Sequence, residues 1–178
     1  MCIRDSSRRE VKTVTYAFLY GAGNEKIGTS YDSSLSSSAA KSKGKEIREA
    51  FVDAIDGLGS LLDAIKHKAE CGHVRLVDGR SIAVESPHKA LNYLLQGSAG
   101  VIAKRWMALN QDTIESIGIE AHQLAFIHDE LQFETTPNNV NDLSTSLVLS
   151  AAQAGEYYNL RCPIAAESTS GPTWADTH

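Results

Sequence analysis

Arg8, Lys12, Tyr16 and Tyr20 stand four residues apart in the stretch "RREVKTVTYAFLYGAG". On an α-helix each step of four advances about 400°, so the row drifts by only about 40° per step and forms one stripe. Val11, Val14 and Phe18 repeat at i, i+3 and i+7 on another face, where they make an apolar seam for a core. Cations in a first helical turn oppose the helix macrodipole, a small cost that an anionic ligand would reverse. The Arg8 fork and the Lys12 point charge suit phosphate oxygens, and the two phenols offer flat faces to a sugar or a base. A solvated basic face with its aromatics tucked against neighbours would have the same composition.

Two more groups carry chemistry. In "HDE", His128, Asp129 and Glu130 bring hard oxygen ligands of the kind Mg²⁺ accepts, and a metal so held could activate a hydroxyl for an in-line displacement. Adjacent strand residues point to opposite faces, so both acids serve one site only where a turn bends the chain there. The alternative is an acidic hairpin turn with no ligand. In "ALNYLLQGSAG", Asn92 and Gln96 lie one helical turn apart on one face, and Gly97, Ser98, Ala99 and Gly100 follow, small enough for a backbone or a base pair to come close. Every Watson–Crick pair presents minor-groove acceptors, so an amide donor there checks pair shape without reading sequence. Amides satisfied by internal hydrogen bonds are the alternative.

The elements that must position these groups follow from periodicity. The stripe lies on a helix, and the Gly- and Ser-rich "GTSYDSSLSSSAAKSKGK" after it reads as a loop with a short helix inside. Ile47, Phe51, Ala54, Ile55, Leu58, Leu62 and Ile65 predict a helix over about 45–69, weakened or bent at Gly57 and Gly59. "VRLVDGRSIAV" is a hairpin around Asp78-Gly79, and Ser86-Pro87 opens a long helix from about His88 to Ile117. "LAFIHDELQFE" predicts a second hairpin with the acids at its turn. A helix near 140–156 and a short strand at Pro163–Glu167 complete an α+β pattern without internal repeats. Residues 1–7, opening "MCIRDS", do not share the pattern and read as a non-native leader.

With 178 residues and 42% hydrophobic content the chain can bury one proper core. No apolar run approaches the roughly 18 residues a membrane span needs, and no signal peptide is visible, so a soluble, cytoplasmic protein with no membrane partner is expected. Cys2, Cys71 and Cys162 are odd in number and lack C-x-x-C pairing, which argues for buried free thiols and against disulfides or zinc. The net charge of −5 is unevenly spread: residues 1–48 hold nine Lys or Arg against five acids, residues 112–178 one against ten. A basic beginning suits phosphate; an acidic end suits metal cations or solvation.

The three groups together resemble a known family. "RREVKTVTYAFLYG" resembles the R-x3-K-x7-YG finger-helix motif of family A DNA polymerases, the bacterial DNA polymerase I and podovirus-phage type, with Arg8, Lys12, Tyr16, Tyr20 and Gly21 in register. "SPHKALNYLLQGSAG" resembles the family's Asn-x3-Gln palm helix, "HDELQFE" its palm hairpin, and "GPTWADTH" the tail that closes phage members. Order and spacing fit as well. The resemblance implies helical fingers over 8–85 and part of the antiparallel-sheet palm of a polymerase right hand over 86–178. It implies that Arg8 and Lys12 bind the dNTP triphosphate and that Tyr16 sits against its sugar and base. Tyr20 and Gly21 would guard the templating position, Asn92 and Gln96 would monitor the nascent pair, and His128 would contact the primer end. Asp129 would ligate Mg²⁺ with Glu130 supporting it, and Asp129, Glu130 and Lys12 form the implied catalytic set.

Primer-template DNA and dNTPs are the implied partners. The family's second metal aspartate belongs to a D-x-S-x-x-E-L-R-type motif upstream of the finger helix, and no such motif precedes that helix here. The isolated chain is therefore expected to be nearly inactive. A fragment of a single-subunit phage RNA polymerase and a non-catalytic nucleotide- or DNA-binding module are the alternatives.

Overall fold

The computed structural model describes the backbone of residues 8–177 and the side chains of residues 11–177. The expected leader, 1–7, and the Arg8 side chain lie outside the described residues. Two compact units, Met1–Gly97 and Ser98–His178, divide the chain within a long helix.

The first unit opens with α1 (Arg8–Leu19), α2 (Asn24–Tyr31), α3 (Ser37–Ala54) and α4 (Leu58–Glu70), followed by strands β1 (His73–Arg75) and β2 (Ser81–Ala83). The apolar seam of α1 delivers Phe18 into the core with Ile27, Ile65, Val74, Val84 and Leu91, each side chain worth about 1.5–3 kcal/mol when fully buried. Phe51 packs its ring 4.7 Å from that of Phe18.

Two expectations need correction here. The Gly- and Ser-rich stretch is mostly helical: it holds the end of α2 and the start of α3, and only a short connection around Asp32–Ser36 is irregular. Asp32 accepts from the Ser34 amide, and the Ser36 hydroxyl caps α3 by accepting from the Ala39 amide, so the serines that looked like loop residues turn the chain and start the next helix. The single helix expected over 45–69 is two, because the chain leaves helical geometry at Ile55 and Gly57 takes φ +80°. β1 and β2 pair antiparallel from His73 opposite Ala83 to Arg75 opposite Ser81, and Gly79 at φ +85° closes the turn as expected.

A 3₁₀ turn at Pro87–Lys89 precedes α5 (Ala90–Ile117), in agreement with the Ser86-Pro87 start signal. The second unit adds β3 (Ala121–Ile127), β4 (Glu130–Thr135) and α6 (Val140–Tyr157). β3 and β4 pair antiparallel from Ala121 opposite Thr135 to Ile127 opposite Glu130, with an irregularity at Leu124. Ile114, Ala121 and Leu143 form its core, and Asn110, fully buried, accepts from the Ser146 hydroxyl at 2.8 Å. The strand expected at Pro163–Glu167 is not formed; that segment is irregular, and Ile164 packs against Gly155 of α6 instead of joining a ladder. Cys71 and Cys162 are exposed, not buried, because Cys71 ends α4 and Cys162 lies in the segment after α6; Cys2 lies outside the described residues. Helices with two small antiparallel hairpins make the α+β class plain.

Candidate functional site

The stripe on α1 is real as far as it is described. Lys12 Nζ lies 5.7 Å from the Tyr16 ring centroid, and the Tyr16 and Tyr20 rings stack at 6.2 Å with 25° between their planes. Both phenols are about half exposed, while Phe18 between them is 3% exposed. One face of a single helix therefore anchors the core, and the other presents a cation and two ring faces. Among the described residues Lys12 makes no ion pair, whereas Lys41, Lys43 and Lys45 are matched by Glu25, Glu46 and Glu49.

Gly21 ends this helix at φ +73°, a conformation that disfavours any side chain. A Cβ there would also stand 2.1 Å from the His88 carbonyl oxygen. The end of α1 is thus packed directly on the 3₁₀ turn before α5.

On α5, Asn92 is half-buried and Gln96 exposed. Among the described residues neither amide has a hydrogen-bond partner, which leaves the donors available. Gly97 has an internal purpose: a Cβ on it would lie 2.7 Å from Leu76 Cδ2, so it receives the first hairpin, whereas Gly100 faces open space. The room the sequence offered for an approaching ligand is therefore at Gly100.

In the second unit His128 and Asp129 form the turn joining β3 to β4, and Glu130 is the first residue of β4. The bend needed to bring neighbouring acids to one side thus lies between Ile127 and Glu130. His128 takes φ +56°, an uncommon conformation outside glycine, of a kind that clusters at functional sites. Asp129 and Glu130 both line an open cleft, together with Ala99 and Trp106 of α5 and the segment around Glu167 and Trp174. Sequence reasoning missed that wall: "AESTSGPTW" has no period, and only its approach in space gives it a place beside the acids.

The Asp129 carboxylate is exposed and, among the described residues, accepts no hydrogen bond. Such a donor suits Mg²⁺, which uses one or two carboxylates and keeps several waters. Among the described residues no three His, Cys, Asp or Glu converge as a metal cluster, so Asp129 and Glu130 can supply part of a donor set and not all of it. Among the described residues no helix is long and apolar enough to cross a membrane.

Comparison with known proteins places these features in context. The profile described as "DNA polymerase family A" matches residues 2–176. The "DNA-directed DNA polymerase" of Escherichia phage Phieco32 is 34% identical over 97% of this chain and 28% of its own length. That of Escherichia phage T7 is 29% identical over 97% of the chain and 27% of its length. "DNA polymerase I" of Aquifex aeolicus is 24% identical over 97% of the chain and 30% of its length. The chain thus spans under a third of the length of these relatives. In fold it is similar to the structure titled "POL domain of Pol1 from M. smegmatis complex with DNA primer-template and dNTP", with a TM-score of 0.76 and 24% identity, covering 92% of this chain and 30% of that one.

Proposed function

The chain belongs to DNA polymerase family A, and from that premise we propose that it serves DNA-directed DNA synthesis: nucleotidyl transfer from a dNTP to a primer 3′-hydroxyl during replication, in the cytoplasm of a bacterium or of a phage-infected cell. The observation that carries this reading is the stripe of α1, where a cation with no ion partner among the described residues and two stacked phenols stand on the face opposite a buried Phe18. The relatives named above are DNA polymerases, and nothing among them favours the RNA polymerase alternative.

The roles divide between the two regions, with fingers over 8–85 and palm over 86–178. In the transfer, the primer 3′-hydroxyl gives its proton to water as its oxygen bonds to the α-phosphorus, the bond from that phosphorus to the bridging oxygen breaks, and pyrophosphate leaves. Arg8 and Lys12 hold the triphosphate, and the Lys12 ammonium offsets the charge that gathers on the leaving pyrophosphate. Tyr16 packs on sugar and base, while Tyr20 and Gly21 border the templating position. Asn92 and Gln96 donate to minor-groove acceptors of the nascent pair, which hold no sequence information and so report shape. His128 meets the primer end. Asp129 would hold Mg²⁺ with Glu130 in support, as one part of the donor set. When bound, the metal lowers the pKa of the attacking hydroxyl and neutralises phosphate charge.

The test is a chimera in which residues 8–178 replace the matching segment of the Phieco32 phage polymerase. Asp129→Asn keeps size but removes the metal-binding charge, and should slow single-turnover incorporation by at least ~10³-fold, about 4 kcal/mol of barrier, with primer-template affinity largely kept. Glu130→Gln should cost much less. Normal turnover by a folded Asp129→Asn chimera would leave the acidic turn a solvated one, and a parent chimera that binds DNA but never extends it would favour the non-catalytic module.

A further inference from the structure

Arg48 lies on α3, outside every motif above, yet its side chain reaches back to the turn that ends α1. Its Nε donates to Asn24 Oδ1 at 2.9 Å, and its Nη2 donates to the carbonyl oxygen of Ala22. The guanidinium carbon lies 5.3 Å from the centroid of the Phe18 ring. One planar fork thus ties together the most deeply buried aromatic of α1, the turn, and the first residue of α2.

The turn itself leaves little freedom. The Gly21 amide donates to the Phe18 carbonyl at 3.0 Å and the Ala22 amide to the Ala17 carbonyl at 2.9 Å, the paired bonds of a Schellman motif. Ala22 is therefore held through its N–H by α1 and through its C=O by Arg48. The base of the Arg48 side chain is fixed as well, because α2 and α3 touch at backbone distance. A Cβ on Gly44 would lie 1.7 Å from the Asn24 carbonyl oxygen, and one on Gly28 would lie 2.0 Å from that of Ala40. Arg48 follows Gly44 by one helical turn, so its side chain starts from a point that cannot slide. Burial draws its pKa down from the ordinary value, but a guanidinium remains charged throughout the working range and the fork keeps its donors.

We propose that Arg48 is a positioning residue, a brace that locks the α1–α2 turn and thereby sets the angle at which Tyr20 meets the templating base. Tyr20 is the residue between the last helical position of α1 and Gly21, so a few degrees of freedom in the turn move its ring directly. Arg48 touches no substrate in this arrangement. It acts on geometry, and small errors of geometry at a reacting pair cost rate more than ground-state binding. This inference rests on the polymerase reading for its consequence, but not for the brace itself.

Two measurements separate the two. In the 178-residue chain, hydrogen exchange of the Gly21 and Ala22 amides should rise about tenfold in Arg48→Met while the amides of α6 stay unchanged. In the chimera, Arg48→Met should lower the incorporation rate at saturating dNTP by about tenfold, with dNTP affinity changed less than about twofold, and should blunt discrimination against mismatched dNTPs. Arg48→Lys, which can reach one acceptor but cannot fork to both, should recover part of the rate. Asn24→Ala removes one arm and should shift rate and exchange the same way by about threefold, which keeps the test decisive if Arg48→Met does not fold. Unchanged exchange at Gly21 and Ala22 overturns the brace. Raised exchange with unchanged rate and discrimination overturns its part in templating. A parent chimera without activity overturns the polymerase reading and leaves the exchange result standing.

Discussion

Lys12 has no carboxylate beside it among the described residues, and its ammonium rests over the Tyr16 ring, where a triphosphate can take it up without first breaking an ion pair. Lys12→Ala in the 178-residue chain should therefore weaken dNTP binding by about tenfold, the scale of one charge-assisted hydrogen bond, with the difference shrinking as salt is added. Isothermal titration of both proteins measures it, and equal affinities would remove Lys12 from the phosphate site. Gln96 belongs to the same scale. In the chimera, Gln96→Ala should slow extension from all four correct termini alike, because the minor-groove acceptors proposed for it are common to every pair. A loss confined to one base would mean the amide reads sequence after all. Both groups were legible from spacing, since side chains four apart on a helix share a face whatever lies around them. Arg48 was not legible, because its two acceptors lie 24 and 26 residues away and only the folded chain brings them to it.

The elements hold these side chains by close backbone contact as much as by apolar burial. Gly44 and Gly28 let α2 and α3 meet without side chains between them, and Gly21 does the same for the end of α1 against His88. Gly44→Ala should destabilise the chain by about 2–3 kcal/mol, because a methyl group would have to displace backbone. Gly21→Ala should cost a similar amount, about 1–2 kcal/mol of it from the left-handed conformation alone. In α4, Gly59→Ala meets only Cγ1 of Val52 from α3, at 3.4 Å, and should be neutral or slightly stabilising. Urea unfolding of the three variants gives the ranking, and a Gly44→Ala chain as stable as Gly59→Ala would mean that α2 and α3 are not in such contact. The misjudged elements have a shared cause. The serine before α3 and the glycine before α4 are ambiguous locally, because the same residues that make loops also start and end helices.

At the scale of the whole molecule, a net charge of −5 hides a basic first part, and DNA binding by this chain should come from that part. If two or more phosphates are contacted, primer-template affinity should fall at least about tenfold between ~50 and ~200 mM salt, as fluorescence anisotropy can follow. A salt-independent affinity would point to contacts other than phosphate. The sequence by itself determined the helix stripe, the hairpin turn bearing Asp129, the long helix after Pro87 and the order of the three groups, because each depends on a repeat of 3.6 or 2 or on a turn residue acting within a few positions. It could not determine which glycines serve packing and which leave space, as Gly97 and Gly100 divide, nor that the irregular segment around Glu167 and Trp174 walls the cleft of Asp129, nor that Arg48 braces the turn under Tyr20. Those were decided by tertiary structure, since each depends on which distant residue arrives within a few ångströms, and no local period encodes that arrival.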